Sequence, residues 1–189
     1  KVIYGVEGYL IQNKEDLKNS FRYHIIILAK NKTGLENLYR IISISHMEYF
    51  YRRPLITKEL LNQYRDGLLL GSACEAGELI QAYIKGFEME DIRDIGQAYD
   101  YFEIQPLANN RFLIENGTFS SEEQLKDMNK FIIQLGKELD KPVVATGDVH
   151  FLHPEDAIIR KILMVGQGYK DESESLLYFR TTGEMLEEF

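Results

Sequence analysis

Apolar and polar positions alternate between two periods along this chain, and the switches between them outline its elements. Period-2 or continuous apolar runs bounded by polar clusters predict strands at Val2–Leu10, Tyr23–Ala29, Gly67–Ser72, Tyr101–Gln105 and Pro142–Gly147, with a short one at Leu177–Thr181. Helical spacing appears between them. Leu35, Leu38, Tyr39 and Ile42 form one stripe behind Thr33-Gly-Leu-Glu36, a capping-box spacing. Leu125, Met128, Ile132, Leu135 and Leu139 form a second, behind Ser120-Ser-Glu-Glu123. Pro154 sits where a first-turn proline belongs, ahead of Ile158, Ile159, Ile162 and Leu163, and Gly166 is a stop. Shorter helices are predicted over Thr57–Tyr64, Gly77–Lys85 and Met89–Ala98, and Glu184–Phe189 carries a helical pattern. The alternation predicts an α/β fold with a mostly parallel sheet. Two segments, Gln12–Ser20 and Gly166–Ser175, read as polar loops.

Composition narrows the class. The 189 residues fit one ordinary domain, and 44% apolar with 28% charged is globular usage. No apolar run approaches the ~20 residues of a membrane span, and no signal-peptide pattern opens the chain. One cysteine, Cys74, excludes an internal disulfide framework and suits a reducing compartment, so a cytoplasmic location is expected. The net charge of −8 opposes a broad phosphate-gripping surface, so any main grip on DNA is expected elsewhere. The chain opens inside a strand pattern without an initiator Met, which reads as a piece of something longer.

The candidate chemistry lies near the strand ends. In Val143-Val-Ala-Thr-Gly-Asp-Val-His150, strand alternation would point Thr146, Asp148 and His150 one way. Asp148 and His150 are then metal ligands near the end of a strand, or a turn cap and a satisfied polar residue. His24 lies among isoleucines, either as a ligand or as a core histidine bonded to backbone. Glu7 closes an apolar run as a ligand or as the first solvated residue. Cys74 follows another run as a thiolate ligand or a small buried hydrophobe. Glu103 is expected to hydrogen-bond near such a site, His46 to pack in the core, and His153 to cap a helix or face solvent. No Walker loop, nucleophile elbow or paired CxxC motif competes with these groups.

Several long motifs resemble a known family. Tyr23-His-Ile-Ile-Ile-Leu-Ala-Lys-Asn31 and Thr33-Gly-Leu-Glu-Asn-Leu38 resemble the histidine strand and following helix of PHP (polymerase and histidinol phosphatase) domains in bacterial replicative polymerases. Ile44–Pro54, Gly67–Glu78, Ala145–Leu152, Phe179–Thr182 and Glu184–Phe189 are similar to the PolC-type branch of DNA polymerase III. The resemblance is collinear over nearly the whole chain. It implies that residues 1–189 are a C-terminal portion of a PHP domain, a distorted (β/α)7 TIM-like barrel. It also implies divalent metals (Zn, Mn or Fe) held through Glu7, His24, Cys74, Asp148 and His150. The family's His-x-His and Asp-His ligands have no counterpart here, and residues 11–21 stand as a linker where PolC-type enzymes carry a proofreading exonuclease.

The implied function is metal-dependent phosphoester hydrolysis, such as 3′–5′ exonuclease work, or a metal-stabilised structural module. Either would belong to an enzyme that synthesises DNA with Mg at a site in another domain. Implied partners are the other polymerase domains, DNA through those domains, and the sliding clamp and replisome. The alternative is a free-standing PHP phosphoesterase such as a histidinol-phosphate phosphatase, against which the stretches Tyr49–Pro54 and Phe179–Thr182 argue.

Overall fold

The computed structural model describes residues 2–15, 17–168 and 176–189. Residues 169–175, which include the end of the Gly166–Ser175 loop expectation, lie outside the described residues. The chain divides into two compact units, Lys1–Phe102 with Leu135–Pro142, and Glu103–Gln134 with Val143–Phe189.

The first unit is built on a five-stranded sheet. Its strands are β1 (Gly5–Ile11), β2 (Tyr23–Ala29), β3 (Phe50–Tyr51), β4 (Arg53–Thr57) and β5 (Leu68–Gly71), in the order β3-β4-β1-β2-β5. The sheet is mixed, which corrects the mostly parallel expectation. β1 runs parallel to β4 but antiparallel to β2, and β2 is antiparallel to β5. The reason lies in the Gln12–Ser20 segment, because a parallel crossover needs a dozen or more residues and usually a helix. A shorter polar link returns the chain directly beside β1.

Helix α1 (Lys32–Met47) packs on β2 and β4. It is capped two residues earlier than the Thr33 capping box, because Asn31 Oδ1 accepts from Gly34 N at 2.9 Å. Its buried face is Gly34, Asn37, Leu38, Ile41 and Ser45, while Tyr39 is exposed. The face is offset from the expected stripe because Gly34 backs onto the Gly67 backbone and Asn37 donates to Asp66 O at 2.9 Å. His46 is exposed rather than packed in the core, with its Nδ1 2.8 Å from Ile42 O.

Strands β3 and β4 escaped the sequence pattern. Arg52-Arg-Pro54 interrupts it with two charges and a residue that cannot donate to a ladder, and Leu55, Ile56 and Thr57 are buried on both faces, so no alternation marks them. The helices α2 (Lys58–Gln63), α3 (Glu78–Ile84) and α4 (Met89–Gln97) lie where expected. Thr57 Oγ1 caps α2 by accepting from Leu60 N at 3.0 Å. Asp100 pairs with Arg65 and accepts from Leu70 N at 2.6 Å, tying the β5 backbone to the segment before β6.

Tyr99 is buried, and its phenol oxygen has no hydrogen-bond partner among the described residues. Burial, with the charge of Glu78 second, pushes this phenol far above its ordinary value. A group raised in the folded state contributes stability that is present below its unfolded pKa of about 10 and is lost as pH rises above it. Tyr99→Phe should therefore flatten the alkaline loss of stability between pH 8 and 10.5, and at pH 8 should be neutral or stabilising by up to about 1 kcal/mol. Urea melts at both pH values check this, and an unchanged alkaline slope would contradict it.

The unit boundary falls within β6 (Phe102–Ile104) and within α6 (Glu122–Glu138). The second unit also holds α5 (Phe112–Glu115), β7 (Val143–Ala145), α7 (Ala157–Gly166) and α8 (Thr182–Leu186). Strand β7 pairs with β6 in a two-stranded sheet. In α6 the expected residues Leu125, Met128 and Ile132 are all buried. Its Ser120–Glu123 box does not form: the Gln124 carboxamide accepts from Ser120 N at 2.6 Å, and Glu123 pairs forward with Lys130.

Pro154 opens a 3-10 turn before α7, whose Ile158, Ile159, Ile162 and Leu163 are all more than half exposed. The C-terminal pattern forms α8, and its Thr181–Glu184 capping box was present in the sequence but unread. Glu184 Oε2 accepts from Thr181 N at 2.7 Å, and these bonds hold its carboxyl below the usual range. The expected strand Leu177–Thr181 is reduced to one bridge, Phe151 with Tyr178.

Candidate metal centre

Three of the five candidate ligands meet. Glu7 lies mid-strand in β1 rather than at its end, and alternation puts Glu7 and Tyr9 on one face. Register then sets the neighbour: Tyr9 lies directly opposite His24 in β2, so the His24 ring emerges on the Glu7 face. The Tyr9 and His24 rings meet edge to face, 5.2 Å apart at 78°.

Cys74 arrives from the turn after β5. Ala73 adopts the left-handed conformation at φ 60°, a strained choice for a residue with a Cβ. The turn closes through Gly77 N donating to Cys74 O at 2.9 Å, and His24 N donates to Ala76 O at 3.0 Å. The loop is thereby stitched to β2 beside the histidine.

At the centre, His24 Nδ1 lies 2.9 Å from Glu7 Oε1 and 3.3 Å from Cys74 Sγ. The three ligand atoms all fall within 4.8 Å of one another. Cys74 is buried, His24 is about a quarter exposed and Glu7 about half exposed, so the group is closed on one side and open on the other. Tetrahedral bonds of about 2.0–2.3 Å would set neighbouring ligand atoms roughly 3.5 Å apart. The observed separations need to widen by only a few tenths of an ångström. Carboxylate, imidazole and thiolate also suit Zn, Mn or Fe as donors. The residues present therefore fit a divalent metal, with three protein ligands and room for solvent or substrate.

A second polar group lies nearby on α3. Glu78 is buried and pairs with Lys58 at 2.6 Å. Burial, and then the charge of Glu78, raises the Tyr23 phenol.

Asp148 and His150 lie in the second unit. Strand β7 stops at Ala145 and Asp148 has φ 49°, so the alternation argument that aligned Thr146, Asp148 and His150 does not apply there. Sequence reading missed this because Thr-Gly-Asp leaves the apolar run without a strong breaker pattern. The two residues still form a local pair: His150 Nδ1 lies 2.8 Å from Asp148 O and 3.9 Å from Asp148 Oδ1. Glu103 is buried and accepts from Thr146 Oγ1 at 2.9 Å, within the hydrogen-bonding role expected of it. His153 sits at the start of the Pro154 turn, its N–H donating to Asp156 Oδ2 at 3.0 Å. Among the described residues, Glu7, His24 and Cys74 are the one group of three metal-compatible side chains this close together.

The fold and this cluster define a mixed α/β domain whose sheet, with the turn after β5, brings a carboxylate, an imidazole and a thiol together. The chain belongs to the PHP domain family, whose model matches residues 1–118. Curated relatives point the same way. The chain is 52% identical over 175 residues to the PolC-type DNA polymerase III of Clostridium perfringens, covering 92% of this chain and 12% of that protein. It is 51% identical over 190 residues to the PolC-type DNA polymerase III of Caldanaerobacter subterraneus, covering 100% and 14%. With that of Bacillus subtilis it shares 46% over 171 residues, covering 88% and 12%. The chain thus spans only 12–14% of the length of these relatives. No helix among the described residues is long and apolar enough to cross a membrane.

Proposed function

We propose that the chain is the metal-binding PHP portion of a bacterial replicative DNA polymerase of the PolC type. Its open mixed sheet would form part of a distorted (β/α)7 barrel. Glu7, His24 and Cys74 would hold a divalent ion, and Asp148 and His150 would serve as further ligands. The observation that carries the reading is the approach of Glu7 Oε1 and Cys74 Sγ to the same imidazole nitrogen of His24. The small fraction of each relative that the chain covers supports a polymerase portion over a free-standing phosphatase.

A metal bound there supplies Lewis acidity and an acidified water. The chain's own residues fix where that chemistry can happen. The β1–β2 register orients Glu7 and His24, the Ala73 turn brings the thiol, and the exposed Glu7 side leaves an approach for a phosphoester. In the structural alternative, the same ligands add metal affinity to folding free energy and brace the rest of the polymerase. The exposed aliphatic residues of α7 support contacts with other domains of the same polypeptide. DNA synthesis, with its own Mg site, would belong to those domains, as would the clamp and replisome contacts, in the cytoplasm.

The test is bound-metal content by plasma mass spectrometry on the full-length protein. Wild type would be compared with Asp148→Ala/His150→Ala, with nuclease activity and melting measured on the same samples. Two or three metals in wild type, reduced in the variant together with nuclease activity, are expected for a hydrolytic centre. Metal and melting temperature falling together, with no hydrolysis in either protein, would assign the bracing role. A wild type without metal after a non-stripping purification would sink the ligand assignments.

A further inference from the structure

The chain is acidic overall, yet three arginines gather on two tyrosines beside the metal-compatible cluster. The Arg22 guanidinium lies 5.5 Å from the Tyr51 ring centroid, and that of Arg52 lies 5.7 Å from the same ring. Arg53 stands 4.7 Å over the Tyr9 ring and donates to the Tyr9 hydroxyl. Tyr9 in turn meets His24 edge to face. An unbroken run of contacts therefore leads from Arg53 through Tyr9 to the imidazole of the cluster.

The backbone holds this arrangement under strain. β3 and β4 form a hairpin at the sheet edge, pairing Phe50 with Pro54 and Tyr51 with Arg53. The one residue between the two strands, Arg52, is forced to φ 62°. The left-handed region is unfavourable for a side chain with a Cβ, and such outliers concentrate at functional sites. Arg52 and Arg53 are exposed, and the Phe50 ring is 56% exposed at the same tip. The Nε of Arg22 is buried and has no hydrogen-bond partner among the described residues.

Arginines carried on tyrosine faces, beside an exposed phenylalanine, match what a single nucleic-acid strand requires. Guanidinium forks take phosphodiester oxygens bidentately, and aromatic rings stack bases without regard to sequence. We propose that Arg22, Arg52 and Arg53, with Phe50 and Tyr51, form a binding site for single-stranded nucleic acid. The site delivers a strand along Tyr9 towards Glu7, His24 and Cys74. It deepens the polymerase reading above and rests on it for the identity of the polyanion. Local clustering reconciles the site with a net charge of −8, because a short-range grip needs a few aligned cations and not a basic molecule.

Ultraviolet cross-linking of the full-length protein to an oligothymidylate of about 15 nucleotides, followed by peptide mapping, tests the proposal at residue level. Nucleotide adducts are expected on Phe50 or Tyr51. In R52Q/R53Q, whose exposed side chains leave the core intact, adduct yield there should fall about tenfold, with adducts elsewhere and the melting curve unchanged. R22Q should lower it further. Chelator should leave the adducts in place, since arginine and ring contacts need no metal. A loss of metal binding would therefore defeat the metal assignment without touching this one. Absence of adducts between Tyr49 and Arg53, or a yield indifferent to the arginine changes, would overturn the site, as an acidic protein segment occupying the same hairpin would.

Discussion

His24→Ala should abolish metal-dependent stabilisation of this domain. The ring is the hub of the cluster: its Nδ1 is 2.9 Å from Glu7 Oε1 and 3.3 Å from Cys74 Sγ, so removing it leaves only two of the three donors. A ligand that binds only the folded state stabilises by RT ln(1 + [L]/Kd), about 2.7 kcal/mol at a hundred times Kd. Wild type in saturating Zn should gain on that order in urea unfolding, and His24→Ala should gain almost nothing. The metal-free variant has a second, smaller expectation. A partly exposed imidazole contributes a few packing contacts with Tyr9, so the apo proteins should differ by about 1 kcal/mol. Equal gains from Zn in both proteins would place the ion elsewhere.

Gly77→Ala should damage fold and cluster together. A Cβ at this position would sit 2.0 Å from Ser72 O and 3.0 Å from Cys74 O, both backbone atoms with no side chain to swing away. Something must move, and what moves is the loop that carries Cys74. Overpacking against backbone costs about 3 kcal/mol. Gly77 also bridges to His24 in parallel register, so the shift reaches the second donor as well. Gly86→Ala is the control. Unlike Gly77, at φ −69°, it has a positive φ of 67°, but nothing among the described residues lies within 4 Å of an added Cβ, so only the backbone preference of about 1 kcal/mol should be lost. Urea midpoints and Zn affinity for the two variants separate crowding at the cluster from a generic glycine effect, and similar losses in both would refute it.

How much of this was legible in the sequence differs by element. β2 was read to the residue, Tyr23–Ala29, because five consecutive branched or aliphatic residues flanked by polar clusters leave no helical alternative. The buried stripe of α6 was equally readable, since Leu125, Met128 and Ile132 repeat at helical spacing over about two turns. β4 was hidden, because Leu55, Ile56 and Thr57 are covered on both faces and the arginines and proline before them suggest a loop. Strand direction was hidden too. Local pattern fixes a strand's faces but not its neighbour, and the β1–β2 pairing followed from a short link.

For the cluster, residue types were readable but their meeting was not. Glu7, His24 and Cys74 come from segments up to 67 positions apart, joined by one antiparallel register and one left-handed alanine. The arginine hairpin was visible only as a motif. Its use as an aromatic-backed patch depends on Arg22 arriving from the link just before β2, which no local pattern predicts.

The central claim is that Glu7, His24 and Cys74 bind one metal ion, and X-ray absorption at the zinc edge tests it most directly. Zn-loaded protein should show one sulfur scatterer at about 2.3 Å together with nitrogen or oxygen at about 2.0–2.1 Å. Cys74→Ser should lose the sulfur shell while keeping the lighter one. A wild-type spectrum with only nitrogen and oxygen neighbours, identical to that of Cys74→Ser, would contradict the account.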